Sequence, residues 1–395
     1  MQVCGVICEY NPFHSGHALH LARAREITGA DYIVCVMSGA ITQRGMFARH
    51  DKWSRARAAV LGGADLVLEL PARFACAPAP EFARGGVSLL ASLGVITHLS
   101  FGCEAQALPH LSAAASALRE ESPVFSSALR EGLDRGLSYP HARALAAQAA
   151  CGIPGLANII AQPNAALALE YLAALPEGIA PVPVAREGAG YHDTALCALS
   201  SATAIRAALA SGETQAALAA LPYPQDIRAA EEQGFIHEEE ALTQALLYRL
   251  RTADAAALSS IAGMDEGLEH LFIKAARSAQ SRDELILAVK SRRYTYARLS
   301  RICANVLLGV TKDFSAAHRA PTYARILAFR REAQPLLRAI KQNARIPLIA
   351  KAADYDRSDP LFSLDLRAQD LWSLGVSSPA LRTAGRDFTT SPVVL

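Results

Sequence analysis

Several absences narrow what this chain can be. Nowhere in its 395 residues does an apolar run reach the roughly 20 residues that a membrane span needs. The richest stretch, Leu156 to Ala185, is broken by Pro163, Pro176 and Pro181. No basic segment followed by an apolar one precedes the first strand-like run, so no secretory signal is expected. The eight cysteines, at 4, 8, 35, 76, 103, 151, 197 and 303, include no C-x-x-C pair. They are expected to be reduced, mostly buried thiols of a cytoplasmic protein. Acids are scarce in one region: residues 271–351 hold 17 lysines and arginines against only Asp283, Glu284, Asp313 and Glu332, a local net of +13. The formal net charge of the whole chain is +2, so the remainder sums to −11 and one segment carries the positive field.

What is present is organised around Ile7-Cys8-Glu9-Tyr10-Asn11-Pro12-Phe13-His14-Ser15-Gly16-His17. Val3, Gly5 and Ile7 belong to a short apolar run that reads as a buried first strand, and Asn11-Pro12 stops it. From Ser15 the spacing of Leu19, Leu21 and Ala22 suits a helix. Ser15 and Gly16 then lie at its N-terminus, where unpaired N–H groups favour an anion such as a nucleotide phosphate. His14 and His17 flank Gly16, whose missing side chain leaves a phosphate room, and His20 follows one turn later. Imidazole and backbone donors fixed there would stabilise the charge that gathers on an α-phosphate under in-line attack. A metal site is the competing reading. Histidines at i, i+3 and i+6 share one helix face poorly, and the only soft ligand nearby, Cys8, belongs to a strand expected to be buried, so no metal centre is assigned.

Strands expected at 31–37, 64–70 and 95–101 alternate with helices expected at 50–61 and 81–93, the pattern of a parallel sheet with right-handed crossovers. Ligands in such sheets sit beyond the carboxyl ends of the strands. Residues 9–16, 38–45, 70–73 and 102–104 should therefore share one rim. A mostly helical insertion is expected over about 105–150; Gln162-Pro163-Asn164 then precedes a helix running to Ala174, and a strand is expected from Ile179 to Val184. The glycine-rich loop Arg186 to Asp193 leads to Ser200-Ser201 as the cap of a helix that contains Arg206; His192 and Asp193 are read as loop structure rather than a catalytic pair. The chain divides into an α/β domain at 1–212 and a mostly helical basic domain at 213–395. In the latter Ser281 and Thr295 are cap candidates, and Leu299, Ile302 and Val306 mark an apolar helix face. Tyr294 and Tyr296 interleave with Arg292 and Arg293, while Arg298 and Arg301 project from another side. Rings that stack on bases and cations that meet phosphates suit looped RNA, and the size of the imbalance favours that over a merely solvated face.

The stretch N-P-F-H-x-G-H resembles the H-x-G-H signature of the adenylyltransferase superfamily, and Ser201-Ala202-Thr203-Ala204-Ile205-Arg206 resembles its second motif. More closely, the chain resembles the bacterial tRNA(Met) cytidine acetate ligases. The blocks that carry this are Glu9 to His17, Ser38 to Gly45, Asp51 to Trp53, Gly63 to Pro71, Phe101 to Glu104, Pro163-Asn164 with Glu170 to Leu172, Gly188 to Asp193 and Ser201 to Arg206. In the basic domain Tyr294 to Leu299 and Arg345 to Ile349 continue it. The chain departs from the family pattern at Ala40, at Ala165 to Ala168 and at Glu187.

The resemblance implies a Rossmann-like nucleotidyltransferase domain that converts acetate and ATP to acetyl-AMP, with magnesium, and transfers the acetyl group to the wobble cytidine of elongator tRNA(Met). It implies ATP contacts at Ile7, Cys8, Glu9, Tyr10, Asn11, Pro12, Phe13, His14, Ser15, Gly16, His17, His20, Gly102, Asn164, Arg186 and Glu187. His14 and His17 would serve the α-phosphate as the catalytic pair, Ser201, Thr203 and Arg206 the β- and γ-phosphates, and Arg292, Arg293, Arg298 and Arg301 the tRNA. Two alternatives stand beside it. A cofactor-biosynthetic adenylyltransferase would not need the basic segment, and an ATP-sensing RNA-binding protein would not need the intact histidine pair. No membrane partner is expected, and the sequence sets no oligomeric state.

Overall fold

The computed structural model describes residues 1–103, 107–185 and 200–395. Its centre is an eight-stranded sheet among those residues, with β1 (Val3–Cys8), β2 (Tyr32–Ser38), β3 (Leu66–Leu70), β4 (His98–Gly102), β5 (Ala180–Val184), β6 (Ala324–Phe329), β7 (Leu348–Ile349) and β8 (Val393–Val394). The order is β5-β4-β1-β2-β3-β6-β7, and β8 also pairs with β6. The five strands from the first half are mutually parallel, as the alternation of strands and helices predicts.

Burial on both faces explains their near-continuous apolar composition. In β2, Ile33, Cys35 and Met37 pack with Leu21, Ala24 and Trp53 of the helices Ser15–Thr28 and Lys52–Leu61. The alternate residues Val34 and Val36 face the opposite layer, with Phe82, Val87 and Leu90 of the helix Ala79–Ser92. The helices Leu108–Glu120, Pro123–Asp134 and Tyr139–Cys151 form the insertion and bury Leu111, Phe125 and Ala146 against that same layer. Cys4, Cys8, Cys35, Cys76, Cys151 and Cys303 are free thiols.

The sheet does not end where the sequence reading divides the chain. Strands β6 to β8 belong to the segment expected to be mostly helical, and β6 pairs antiparallel with β3. Ala324-Arg325-Ile326-Leu327-Ala328-Phe329 is buried almost throughout, so it shows no alternation, and its alanine, leucine and arginine also suit helix. A second core, containing Leu246, Phe272, Leu285, Leu299 and Ile302, holds the helices between Thr243 and Leu308 together.

Charged side chains buried at the β3–β6 seam fix the C-terminal strands in place. Lys52 donates to Glu69 at 2.7 and 2.9 Å and lies 2.7 Å from Asp387. Arg325 lies 3.3 Å from Glu69 and 2.6 Å from Asp387. Two cations thus face two carboxylates. Asp365 sits beside them, hydrogen-bonded to the Tyr323 hydroxyl and accepting the Ala72 N–H at 2.6 Å. Ionised, it would add a third negative charge. Burial first, and then repulsion from Glu69, push its pKa up to about 8.

Between about pH 4 and about pH 8 the folded protein therefore keeps a proton on Asp365 that the unfolded chain releases, and this term of stability falls as pH rises. Asp365→Asn keeps the shape and cannot titrate. Its urea midpoint should fall less than the wild-type midpoint between about pH 5 and about pH 8; equal slopes would refute the assignment.

Candidate active site

A cleft of about 1340 Å³ opens at the carboxyl ends of β1, β4 and β5, where the parallel-sheet rule puts a ligand. Its floor is the turn from β1 into the first helix. That turn is held from beneath by Arg55, a fully buried residue of the helix Lys52–Leu61. Arg55 donates to the carbonyls of Glu9 at 2.7 Å, Ser38 at 3.1 Å and His50 at 3.1 Å, and also to that of Gly39. Burial lowers its pKa to about 10, so it stays charged at neutral pH.

His14 and His17 form a capping box at the N-terminus of the helix Ser15–Thr28. The His14 Nδ1 accepts the Gly16 N–H at 3.1 Å, and the His17 Nδ1 accepts the His14 N–H at 3.2 Å. Backbone N–H groups can only donate, so each Nδ1 carries no proton and each neutral ring keeps its hydrogen on Nε2. The rings stack with centroids 3.6 Å apart. A cap built this way prepares two N–H donors at a helix end that already favours anions. Gly16 belongs to the same device, because a Cβ there would stand 3.0 Å from the His14 ring. His20, also on the cleft wall, is engaged with β4: its Nε2 is 2.9 Å from the Ser100 hydroxyl, and burial lowers its pKa to about 4, so it is neutral at pH 7.

Ser201 caps the helix Ala202–Ala210 by accepting the Ala204 N–H at 3.2 Å. From that helix Arg206 reaches back and donates to the Asn11 carbonyl at 2.6 Å. The two sequence motifs, nearly 200 residues apart, thus meet at Asn11, and Ser201, Thr203 and Arg206 line the same cleft as His14 and His17. Of the other expected contacts, Ile7, Cys8, Glu9, Tyr10, Asn11, Gly16, His20, Gly102 and Asn164 lie on its wall. Pro12, Phe13 and Ser15 do not line it. Phe13 is buried in the core beneath the turn, against Gly62, where a Cβ would meet its ring. Arg186 and Glu187 lie outside the described residues, as do Glu104 and Gly188 to Asp193.

The expected rim is only partly realised. Thr42, Gln43 and Arg44 line the cleft, but Leu70 to Arg73 turn into the protein, where Arg73 pairs with Glu81 at 2.5 Å. Lys52, in the block Asp51 to Trp53, is an internal cation. Among the expected RNA contacts, Arg292 and Arg293 are exposed, with Arg293 2.5 Å from Glu266. Arg298 lies over the Tyr294 ring at 5.1 Å and 4.0 Å from Asp265. Arg301 turns into the cleft instead of away from it. The sequence reading missed the insertion's share of the site: Tyr139, His141 and Arg143 form part of its wall, and Arg143 is ion-paired with Glu170. Nothing in the local pattern of an alanine-rich helix marks those positions.

Among the described residues no three His, Cys, Asp or Glu side chains converge as a metal-binding group. Glu9, a carboxylate on the cleft wall, accepts the Gln43 N–H at 2.6 Å.

A family model described as HIGH Nucleotidyl Transferase matches residues 1–387. The tRNA(Met) cytidine acetate ligase of Acetivibrio thermocellus is 37% identical over 417 residues and that of Clostridium perfringens strain SM101 34% identical over 408, each alignment covering 100% of both chains. The crystal structure of Thermotoga maritima TmcAL bound with alpha-thio ATP superposes over 100% of both chains with a TM-score of 0.92 at 31% identity.

Gly16→Ala separates binding from folding. The methyl group adds helix propensity worth about 0.5–1 kcal/mol while displacing the His14 ring. The thermal midpoint should hold or rise. Affinity for inorganic tripolyphosphate, measured by titration calorimetry, should drop by about tenfold, the cost of one misplaced hydrogen bond to an anion. Undiminished affinity would show that the His14 cap takes no part in anion capture.

Proposed function

The chain belongs to the family of the tRNA(Met) cytidine acetate ligases, within the HIGH nucleotidyl transferases, and we propose that it carries out the reaction of those relatives. In this reading acetate attacks the α-phosphate of ATP in line. One carboxylate oxygen bonds to phosphorus, the bond between the α-phosphate and its bridging oxygen breaks, and pyrophosphate leaves with the electron pair. The exocyclic amine of the wobble cytidine of elongator tRNA(Met) then attacks the acyl carbon. The bond to AMP breaks, and the surplus proton of the amine passes to the departing phosphate.

The observation that carries the proposal is the His14–His17 pair, each ring oriented by a backbone N–H on its Nδ1, in the cleft that also receives Ser201, Thr203 and Arg206. The histidines stabilise charge on the α-phosphate, and Ser201, Thr203 and Arg206 hold the β- and γ-phosphates. The rest of the nucleotide reaches Gly102 and Asn164. No enzyme nucleophile is needed, because acetate fills that part and the protein supplies position and field. Magnesium, which is held by phosphate oxygens with few protein ligands, would enter with the triphosphate and offset the charge of the leaving pyrophosphate. Arg292, Arg293 and Arg298 are proposed to meet the tRNA backbone. A cofactor-forming adenylyltransferase would leave that basic surface without a partner, and a nucleotide sensor would leave the histidine cap without a task.

Elongator tRNA(Met) lacking the cytidine modification, incubated with the protein, ATP, magnesium and isotopically labelled acetate, should yield labelled N4-acetylcytidine by mass spectrometry of its nucleosides. His17→Ala should lower the rate by about 10²- to 10³-fold, the usual cost of one transition-state donor. ATP-dependent pyrophosphate release with another acid, and no label in the tRNA, would replace this reading with a small-molecule adenylyltransferase.

A further inference from the structure

Arg301 belongs to the basic domain yet stands on the wall of the nucleotide cleft. The helix Tyr296–Leu308 brings it there by docking its backbone on the turn at Gly45. Gly45 has φ +76°, and a Cβ on it would lie 2.6 Å from the Arg301 backbone, so only glycine permits this approach. Ser300 locks the contact by donating to the Arg44 carbonyl at 2.6 Å, and Arg282 donates to the Gly45 carbonyl at 3.0 Å.

The guanidinium that results lacks an acidic partner. Arg301 donates to the Gln43 carbonyl at 3.4 Å, and none of the described carboxylates forms an ion pair with it. The nearby Glu81 is committed to Arg73. Arg44 and Arg298 are neighbouring cations. Beside Arg301 lies an apolar shelf: Gln43 donates through Nε2 to the Ala77 carbonyl at 3.1 Å, and Met46, Pro78 and Pro80 line the cleft next to that junction. A half-buried cation next to an apolar shelf has the chemistry of a subsite for a short aliphatic carboxylate.

We propose that Arg301 is the acid-binding residue: its guanidinium holds the carboxylate of the small acid, and Met46, Pro78 and Pro80 receive the alkyl end. This rests on the ligase reading above. It also answers a problem of that reaction, since a carboxylate must approach a phosphate that is itself negative. Arg206, at Asn11, serves the pyrophosphate side of the floor; Arg301, at Gln43 beside Glu9, offsets the charge of the incoming acid on the other side. The acid is then enclosed only when the basic domain is docked.

The test uses the full chain and three measurements. In acetate-dependent ATP–pyrophosphate exchange, Arg301→Gln keeps an N–H for the Gln43 carbonyl but loses the charge. It should raise the KM for acetate about ten- to a hundredfold while the KM for ATP stays within about twofold. Arg301→Lys should fall between, because a point charge cannot form the bidentate pair. In the second measurement synthetic acetyl-AMP is supplied with unmodified tRNA, and Arg301→Gln should transfer the acetyl group at the wild-type rate. A transfer defect there would reassign Arg301 to the RNA backbone, and a raised KM for ATP alone would reassign it to the triphosphate; either overturns the proposal. The third is exchange by the wild-type protein. Its absence with acetate would remove the ligase reading and this assignment with it, whereas wild-type exchange with a normal acetate KM in Arg301→Gln would remove the assignment alone.

Discussion

The site depends on one buried guanidinium that does not line the cleft. Backbone carbonyls at the ends of parallel strands converge on the rim of the sheet, and a rim with unpartnered carbonyls would repel the anions it has to hold. Arg55 takes the carbonyls of Glu9, Ser38, Gly39 and His50 onto a single buried cation, which turns those dipoles away from the cleft and leaves the imidazoles of His14 and His17 on its wall. Other constraints follow. Gly39 must lack a side chain because the Glu69 carboxylate lies against it, and Glu69 is there to pair with Lys52 from the turn of helix that also carries Arg55. One helix therefore fixes the floor of the cleft with one cation and clamps the C-terminal strands with another.

That arrangement explains why the basic segment is part of the enzyme's architecture and not an appendage. Several of its cations are spent inside: Arg325 at the β3–β6 seam, Arg282 on the Gly45 and Ser300 contacts, and Arg330 on the Val60 carbonyl. Others meet acids from just before the segment, such as Asp265 and Glu266. The exposed field is smaller than the formal charge of the segment, and its position is set by the docking of one helix on the 42–45 turn. Further grips come from Trp372, which donates to the Ala48 carbonyl at 2.5 Å, and from Arg49, which is 2.8 Å from Glu231.

How much of this could be read from the sequence depended on whether the signal was local. The parallel half of the sheet was legible because strands and helices alternate within short spans, and the histidine pair because its spacing around Gly16 belongs to one helix end. The meeting of Ser201 to Arg206 with that turn was legible through the resemblance, since two motifs in order imply contact that neither implies alone. The β6 to β8 strands were not legible, because β6 is buried on both faces and has the composition of a helix. Lys52 and Arg55 were opaque for a related reason: a charged residue in a helix ordinarily faces solvent, and only partners 17 residues away, or on two other strands, make burial tolerable. The orientation of Arg301 could not follow from helix periodicity. Its neighbour Arg298 is one turn away, and the division between cleft and outer surface is drawn by Gly45 from another part of the chain.

The histidine cap carries a final implication about chemistry. A ring whose Nδ1 accepts a backbone hydrogen bond gives up that bond if it is protonated, so the cap favours the neutral imidazole. Neutral donors placed at a helix N-terminus stabilise charge that develops during reaction while binding the resting phosphate less tightly than cations would, which is the balance that turnover requires. The cations of the cleft are kept apart from that point, Arg206 by the Asn11 carbonyl on one side and Arg301 by the Gln43 carbonyl on the other. In the proposed reaction the backbone would thus separate the groups that hold charge before and after transfer from the groups that meet it at that moment.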